Sequence, residues 1–142
     1  MSVLRLNKQI HLGSRIIGDK KPCFIIAEAG VSHFGSLEKC FKLIDLAKNS
    51  GADAVKFQIF DIDSFISIKS KKWYSRMSEK VLTNNDFLKL QKYCLKKKIL
   101  FFLTPHDFNA LDFVIKMKLP LIKIGSGEVQ NNLFIDRIFS LN

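Results

Sequence analysis

Several things are scarce in this 142-residue sequence, and each scarcity excludes a class of protein. No apolar stretch approaches the roughly 20 residues that a membrane-spanning helix needs. The opening segment MSVLRLNKQIHLGSR lacks the continuous apolar run of a signal peptide. No membrane partner and a cytoplasmic location are therefore expected. Cysteine is limited to Cys23, Cys40 and Cys94, an odd number without a Cys-x-x-Cys pair. That spacing argues against a disulfide framework or a thiolate metal site, and for small buried hydrophobes. No GxGxxG follows a strand-like run and no HExxH occurs, so neither a dinucleotide fingerprint nor a zinc-protease helix is present. Acidic residues are few, 13 against 23 Lys and Arg, giving a net charge of +10. Nucleic acid is the first partner class to consider for such a charge. The lysines are dispersed, however, and Lys96, Lys97 and Lys98 fall at a helix end, where positive charge complements the exposed carbonyls. With no zinc finger, RNP-like aromatic motif or recognition helix, no nucleic-acid partner is expected. The charge fits a solvated basic surface, and it also suits a small anionic substrate.

What is present is a good supply of core material: 47% hydrophobic residues, thirteen of the residues being phenylalanine, enough for one domain. Apolar runs alternate with amphipathic segments. CFIIA (23–27), AVKFQIF (54–60), ILFFL (99–103) and LIKIG (121–125) read as strands. Helices are predicted from Ser36 to about Ser50, from Asp86 to Lys98, from Asp107 to Lys118 and from Asn132 to Ser140. Ser36 and Asp107 stand at capping positions, and Gly51 stands where a helix-ending glycine belongs. Residues 61–85 form a long connection, and IHLGSRIIG (10–18) reads as a hairpin around Gly13-Ser14. Repeated βα units without hairpins between them predict a parallel sheet covered by helices, either a barrel or an open doubly wound sheet.

Two strands carry a lysine where an apolar residue is expected. Alternation puts Ala54, Lys56 and Gln58 on one face and Val55, Phe57 and Ile59 on the other; Lys123 shares its face with Leu121 and Gly125. The larger apolar faces should meet the helices, so the lysines point to the opposite side. An unpaired ammonium there costs several kcal/mol. A bound anion would offset that cost, as would a structural ion pair with Glu28 or Glu128. The C-terminal strand ends deliver Glu28 and His33, then Lys56 and Gln58, then Thr104 with His106 and Asp107, then Lys123, Ser126 and Glu128. Ligands of α/β folds bind at that end. Two lysines, two hydroxyls and a Gly-Ser-Gly turn suit a phosphate or carboxylate. His33 and His106 stand alone, without the spacing of a metal site.

At these residues a resemblance appears. IIAEAGVSHFGSLEKCFKLIDLAKNSGADAVKFQIF, LTPHD and KIGSGE resemble the sialic acid synthase family, whose members make N-acetylneuraminate, legionaminate and pseudaminate. The resemblance implies an α/β fold: a partial (β/α)8 TIM-type barrel of about four βα units. Residues 1–21 would be a preceding β-hairpin segment and residues 22–142 the first half of the barrel domain, without the later half and the antifreeze-like domain. It further implies condensation of phosphoenolpyruvate with an acetamido sugar, assisted by a divalent metal, Mn or Mg. The metal's ligands are expected in the absent half, with none in this chain, and full-length members are homodimers. Lys56, Thr104, Lys123 and Ser126 match the phosphoenolpyruvate ligands and Glu28 the active-site carboxylate. Gln58, Glu128 and His33 match sugar-side or supporting positions. The family's Asn-His-Asn-Gly loop reads Ser32-His33-Phe34-Gly35 here, and four strands are half of a barrel, which needs about 250 residues. A fragment inactive by itself is expected, with interior residues such as Phe102 and Leu121 left open to water. A different phosphoenolpyruvate-dependent 3-deoxy sugar acid synthase and a non-catalytic βα scaffold are the other readings.

Overall fold

The structure is a computed structural model that describes residues 8–140. The first seven residues of the expected hairpin segment, and residues 141–142, lie outside the described residues. Within them the chain opens with an antiparallel hairpin, β1 (Gln9–Leu12) and β2 (Arg15–Gly18), with Leu12 opposite Arg15. Gly13 at φ +58° supplies the left-handed residue that the tight turn requires. One carboxylate ties this hairpin to the rest. Asp53 pairs with the Arg15 guanidinium at 3.1 Å and accepts the Ile25 N–H at 2.8 Å.

A parallel sheet of β3 (Ile26–Gly30), β4 (Ala54–Ile59) and β5 (Leu100–Pro105) follows, in that spatial order. The helices are α1 (Leu37–Asn49), α2 (Ile62–Phe65), α3 (Lys71–Ser78), α4 (Asn84–Lys97), α5 (Phe108–Lys116) and α6 (Asn132–Phe139). Val55, Phe57 and Ile59 of β4 and Phe101 and Leu103 of β5 form the apolar face. They pack on Cys40, Ile44 and Ala47 of α1, Phe87, Leu90 and Cys94 of α4, and Ala110 and Val114 of α5. Helix entry is marked by side-chain caps: Ser36 accepts from the Lys39 N–H, Thr83 and Asp86 form a reciprocal capping box, and Asp107 accepts from the Ala110 N–H. The two helical cysteines are buried hydrophobes as expected, their thiols pushed up to about 12 chiefly by burial, whereas Cys23 is exposed. No helix among the described residues is long and apolar enough to cross a membrane.

Four details differ from the sequence expectation. β3 begins and ends three residues later than CFIIA suggests, because it continues through the small residues Ala29 and Gly30. The 61–85 connection contains α2 and α3, neither of which buries a residue. LIKIG is no full strand: Ile122 makes one parallel bridge to Leu103, and the Lys123 N–H donates to the Leu103 carbonyl at 3.0 Å. Phe102, expected to be open to water, is only 3% exposed, while Leu121 is half-buried.

Asp107 links two of these elements. One carboxylate oxygen caps α5 through Ala110 at 2.8 Å, and the other accepts the Asp61 N–H at 2.7 Å where the chain leaves β4. Asp107→Ala should therefore lower unfolding free energy by about 2 kcal/mol, the sum of a lost cap and an unpaired N–H. Urea denaturation checks this; a loss under about 0.5 kcal/mol, the size of an ordinary surface substitution, would contradict it.

Candidate functional site

Parallel register sets the site. Glu28, Lys56 and Phe102 stand side by side across the three strands, and Gln58 stands beside Thr104 one step nearer the C-terminal ends. Lys56 is buried, 5% exposed, on the face away from the α1–α4 core, as alternation predicts. Its Nζ reaches toward the C-terminal mouth, donating to Thr104 Oγ1 at 2.7 Å and pairing with Glu28 Oε2 at 2.8 Å. Thr104 is itself buried, so its hydroxyl is fixed in place. A nearly dry ammonium is thus held by one neutral oxygen and one carboxylate. Such a group can receive a phosphate or carboxylate at the strand ends.

A bulge shapes the Glu28 side. Pairing shifts after Glu28, so that Gly30 rather than Ala29 stands opposite Phe57. Gly30 takes φ +52°, and a Cβ there would lie 3.1 Å from Glu28 Oε1 and 3.9 Å from Gln58 Nε2. The missing side chain therefore leaves room for the Glu28 carboxylate beside the Gln58 amide. Bulges at strand ends commonly re-aim a neighbouring side chain in this way.

The fourth segment contributes less directly. Lys123 is exposed, and its ammonium donates to the adjacent Ile124 carbonyl rather than meeting Lys56. Ser126 and Glu128 lie in a 3-10 turn, Ser126–Glu128, with Ser126 exposed and Glu128 Oε2 accepting from Asn131 Nδ2 at 2.9 Å. That turn rests on His106. A Cβ on Gly125 would lie 3.1 Å from His106 Cε1 and 3.5 Å from Thr104 Cγ2. His106 packs on Phe65, ring centroids 5.0 Å apart, and its Nε2 is buried without a hydrogen-bond partner. Burial lowers its pKa most; Glu128 and Asp107 oppose that, while Lys56 and Lys123 reinforce it. The imidazole therefore stands within electrostatic reach of both lysines. It lines a cleft of about 390 Å³ with Ser64, Asn109, Glu128 and Asn131. Sequence reading left His106 aside as a lone histidine. Its place directly after β5, two residues beyond Thr104 and next to the capping Asp107, was the available signal.

His33 has a different position. It is fully buried, packs on the core residue Phe57 at 6.0 Å, and its Nδ1 accepts the Gly35 N–H at 3.1 Å. It supports the loop after β3 from below. Burial, with a smaller effect of Lys80, pushes its pKa down to about 4. Among the described residues no group of three or more His, Cys, Asp or Glu side chains could hold a metal ion. The donor set here thus does not fit the divalent ion that the resemblance implies.

Comparison with known proteins follows this geometry. Residues 43–142 match the NeuB family. The chain is 36% identical over 135 residues to the N,N'-diacetyllegionaminic acid synthase of Campylobacter jejuni, covering 86% of this chain and 40% of that protein. It is 28% identical to the N-acetylneuraminate-9-phosphate synthase of Homo sapiens, covering 87% and 38% respectively. The crystal structure of N-acetylneuraminic acid (sialic acid) synthetase from Leptospira borgpetersenii in complex with citrate superposes with a TM-score of 0.89 at 32% identity, over 94% of this chain and 46% of that one. The chain therefore spans less than half the length of the relatives it matches.

Two outcomes follow from the local geometry. Gly30→Ala adds a Cβ in a left-handed conformation and against the Glu28 carboxylate; it should cost about 1–3 kcal/mol, measured by chemical denaturation. For His33, the unfolded chain takes up a proton below about pH 6.5 and the folded chain only near 4. Stability should thus be full above pH 6.5 and fall by an order of 3 kcal/mol as pH drops toward 4. Thermal melts across that range check the sign, and His33→Gln should flatten the slope.

Proposed function

Because the chain belongs to the NeuB family, we propose that it carries the phosphoenolpyruvate side of a nonulosonic-acid synthase site. The observation that supports this reading most is the buried Lys56 ammonium, held between Thr104 and Glu28 at the C-terminal strand ends. In the proposed reaction the enol carbon of phosphoenolpyruvate attacks the aldehyde carbon of an open-chain acetamido sugar, and the aldehyde oxygen takes up a proton. Water then adds to the resulting cation at C2, loses a proton, and phosphate departs with cleavage of its C–O bond. The net change is phosphoenolpyruvate plus sugar plus water to nonulosonic acid plus phosphate.

Lys56 and Thr104 bind an anionic group of phosphoenolpyruvate in this reading, with Ser126 and Lys123, its ammonium turned from the Ile124 carbonyl, as further ligands. Glu28 handles a proton of the sugar or of the attacking water, and Gln58 beside it contacts the sugar. Glu128 faces the sugar side across the His106 cleft, and His33 supports the loop that follows β3.

Calorimetric titration tests the anion site. Phosphoenolpyruvate should bind the chain, and Lys56→Ala should weaken it at least tenfold, as expected for loss of a charge-assisted contact worth about 1.5–3 kcal/mol. Unchanged affinity would remove Lys56 from the site. With under half the length of its relatives, the chain by itself should bind without turnover. Phosphate release from phosphoenolpyruvate that depends on added N-acetylmannosamine would overturn that expectation.

A further inference from the structure

The Glu28–Lys56 pair is asymmetric. Lys56 has a side chain only 7% exposed, while that of Glu28 is 56% exposed. Lys56 cannot follow Glu28 into water, because it is fixed on the middle strand with the buried Phe102 beside it. Thr104 gives it an oxygen but no charge. Among the described residues Glu28 is the one carboxylate paired with it. Glu28 stands on the outer strand of the three, and Gly30 leaves space beside its Oε1. Withdrawal of Glu28 would restore its hydration at little loss, but would leave an ammonium buried and uncompensated.

We propose that Glu28 is an internal counter-anion: its carboxylate occupies the place on Lys56 that an incoming phosphate or carboxylate takes, so ligand entry displaces it. This inference rests on the anion site proposed above and adds a role that a simple catalytic carboxylate does not have. The exchange replaces one anion with another, so Lys56 stays compensated throughout. It also releases Glu28 at the moment a ligand arrives, beside the Gln58 amide. Empty, the site holds its lysine ordered at the expense of affinity. Occupied, it has a free carboxylate at the mouth.

The test uses the whole 142-residue chain with two probes, inorganic phosphate and pyruvate, in wild type, Glu28→Gln, Glu28→Asp and Lys56→Met. Calorimetry should show Glu28→Gln binding at least one probe about tenfold tighter than wild type, the equivalent of about 1.4 kcal/mol. The probe that tightens identifies whether phosphate or carboxylate takes the Lys56 position. Lys56→Met should bind neither. In thermal melts, the same probe should raise the Tm of Glu28→Gln more than that of wild type. If Glu28→Gln does not fold without ligand, Glu28→Asp, whose shorter side chain retreats from Lys56, should show a smaller gain of the same sign. Equal or weaker binding by both Glu28 variants, with wild type still binding, would overturn displacement and leave the anion site standing. Absence of binding to wild type and to every Glu28 variant would overturn both.

Discussion

An ammonium group taken out of water has to be met by something negative, and the arrangement of this protein's polar face follows from meeting one. Lys56 lies on the middle strand of three, with a strand on either side, and is itself buried. The partner on one side is an exposed-edge carboxylate, and the one on the other is a buried hydroxyl a step further along β5. Parallel register is what makes this possible. A shift of one residue in either neighbouring strand would turn Glu28 or Thr104 toward the helices and strand the charge. The helix-facing core and the polar face are therefore fixed together, since the same alternation that buries Val55 and Phe57 delivers Lys56.

The surroundings reinforce that centre from two directions. On one side Gly30 and the bulge after Glu28 open room for a carboxylate and an amide. On the other, Gly125 lets the Ser126–Glu128 turn lie directly against His106 and Thr104. Both glycines act by what they omit. His106 lines the cleft together with Asp107 and Glu128, and burial is the main cause that lowers its pKa.

Much of this was legible in the sequence, and for identifiable reasons. Lysines inside alternating apolar runs betrayed the polar face of β4, and Ser36 and Asp107 betrayed their helix starts through capping chemistry. The resemblance of KFQ and KIGSGE agrees with the family match over residues 43–142. Other features left no periodic trace. The α2 and α3 helices are short and bury no residue fully, so their few apolar positions do not mark them against the rest of the connection. LIKIG has strand composition, but it follows Pro120 and breaks at Gly125, and it has one bridge to β5 rather than a ladder. The lysine it carries consequently stays at the surface. The bulge at Gly30 depends on pairing between strands, which composition does not report.

The order of the strands has a bearing on how the chain is made. β3, β4 and β5 lie side by side in the sequence in which they are synthesised, and each pairs only with its predecessor and successor. No strand of this sheet has to wait for a later one to be inserted between it and its neighbour. Every contact of the β3–β4 pair with α1 is between elements that precede β5 in the chain, and α4, which packs on α1, also precedes β5. The last partner of Lys56 to emerge is Thr104. Glu28 precedes Lys56 in the chain and stands on the strand next to it, so pairing of β3 with β4 is enough to bring that ammonium its carboxylate, without β5.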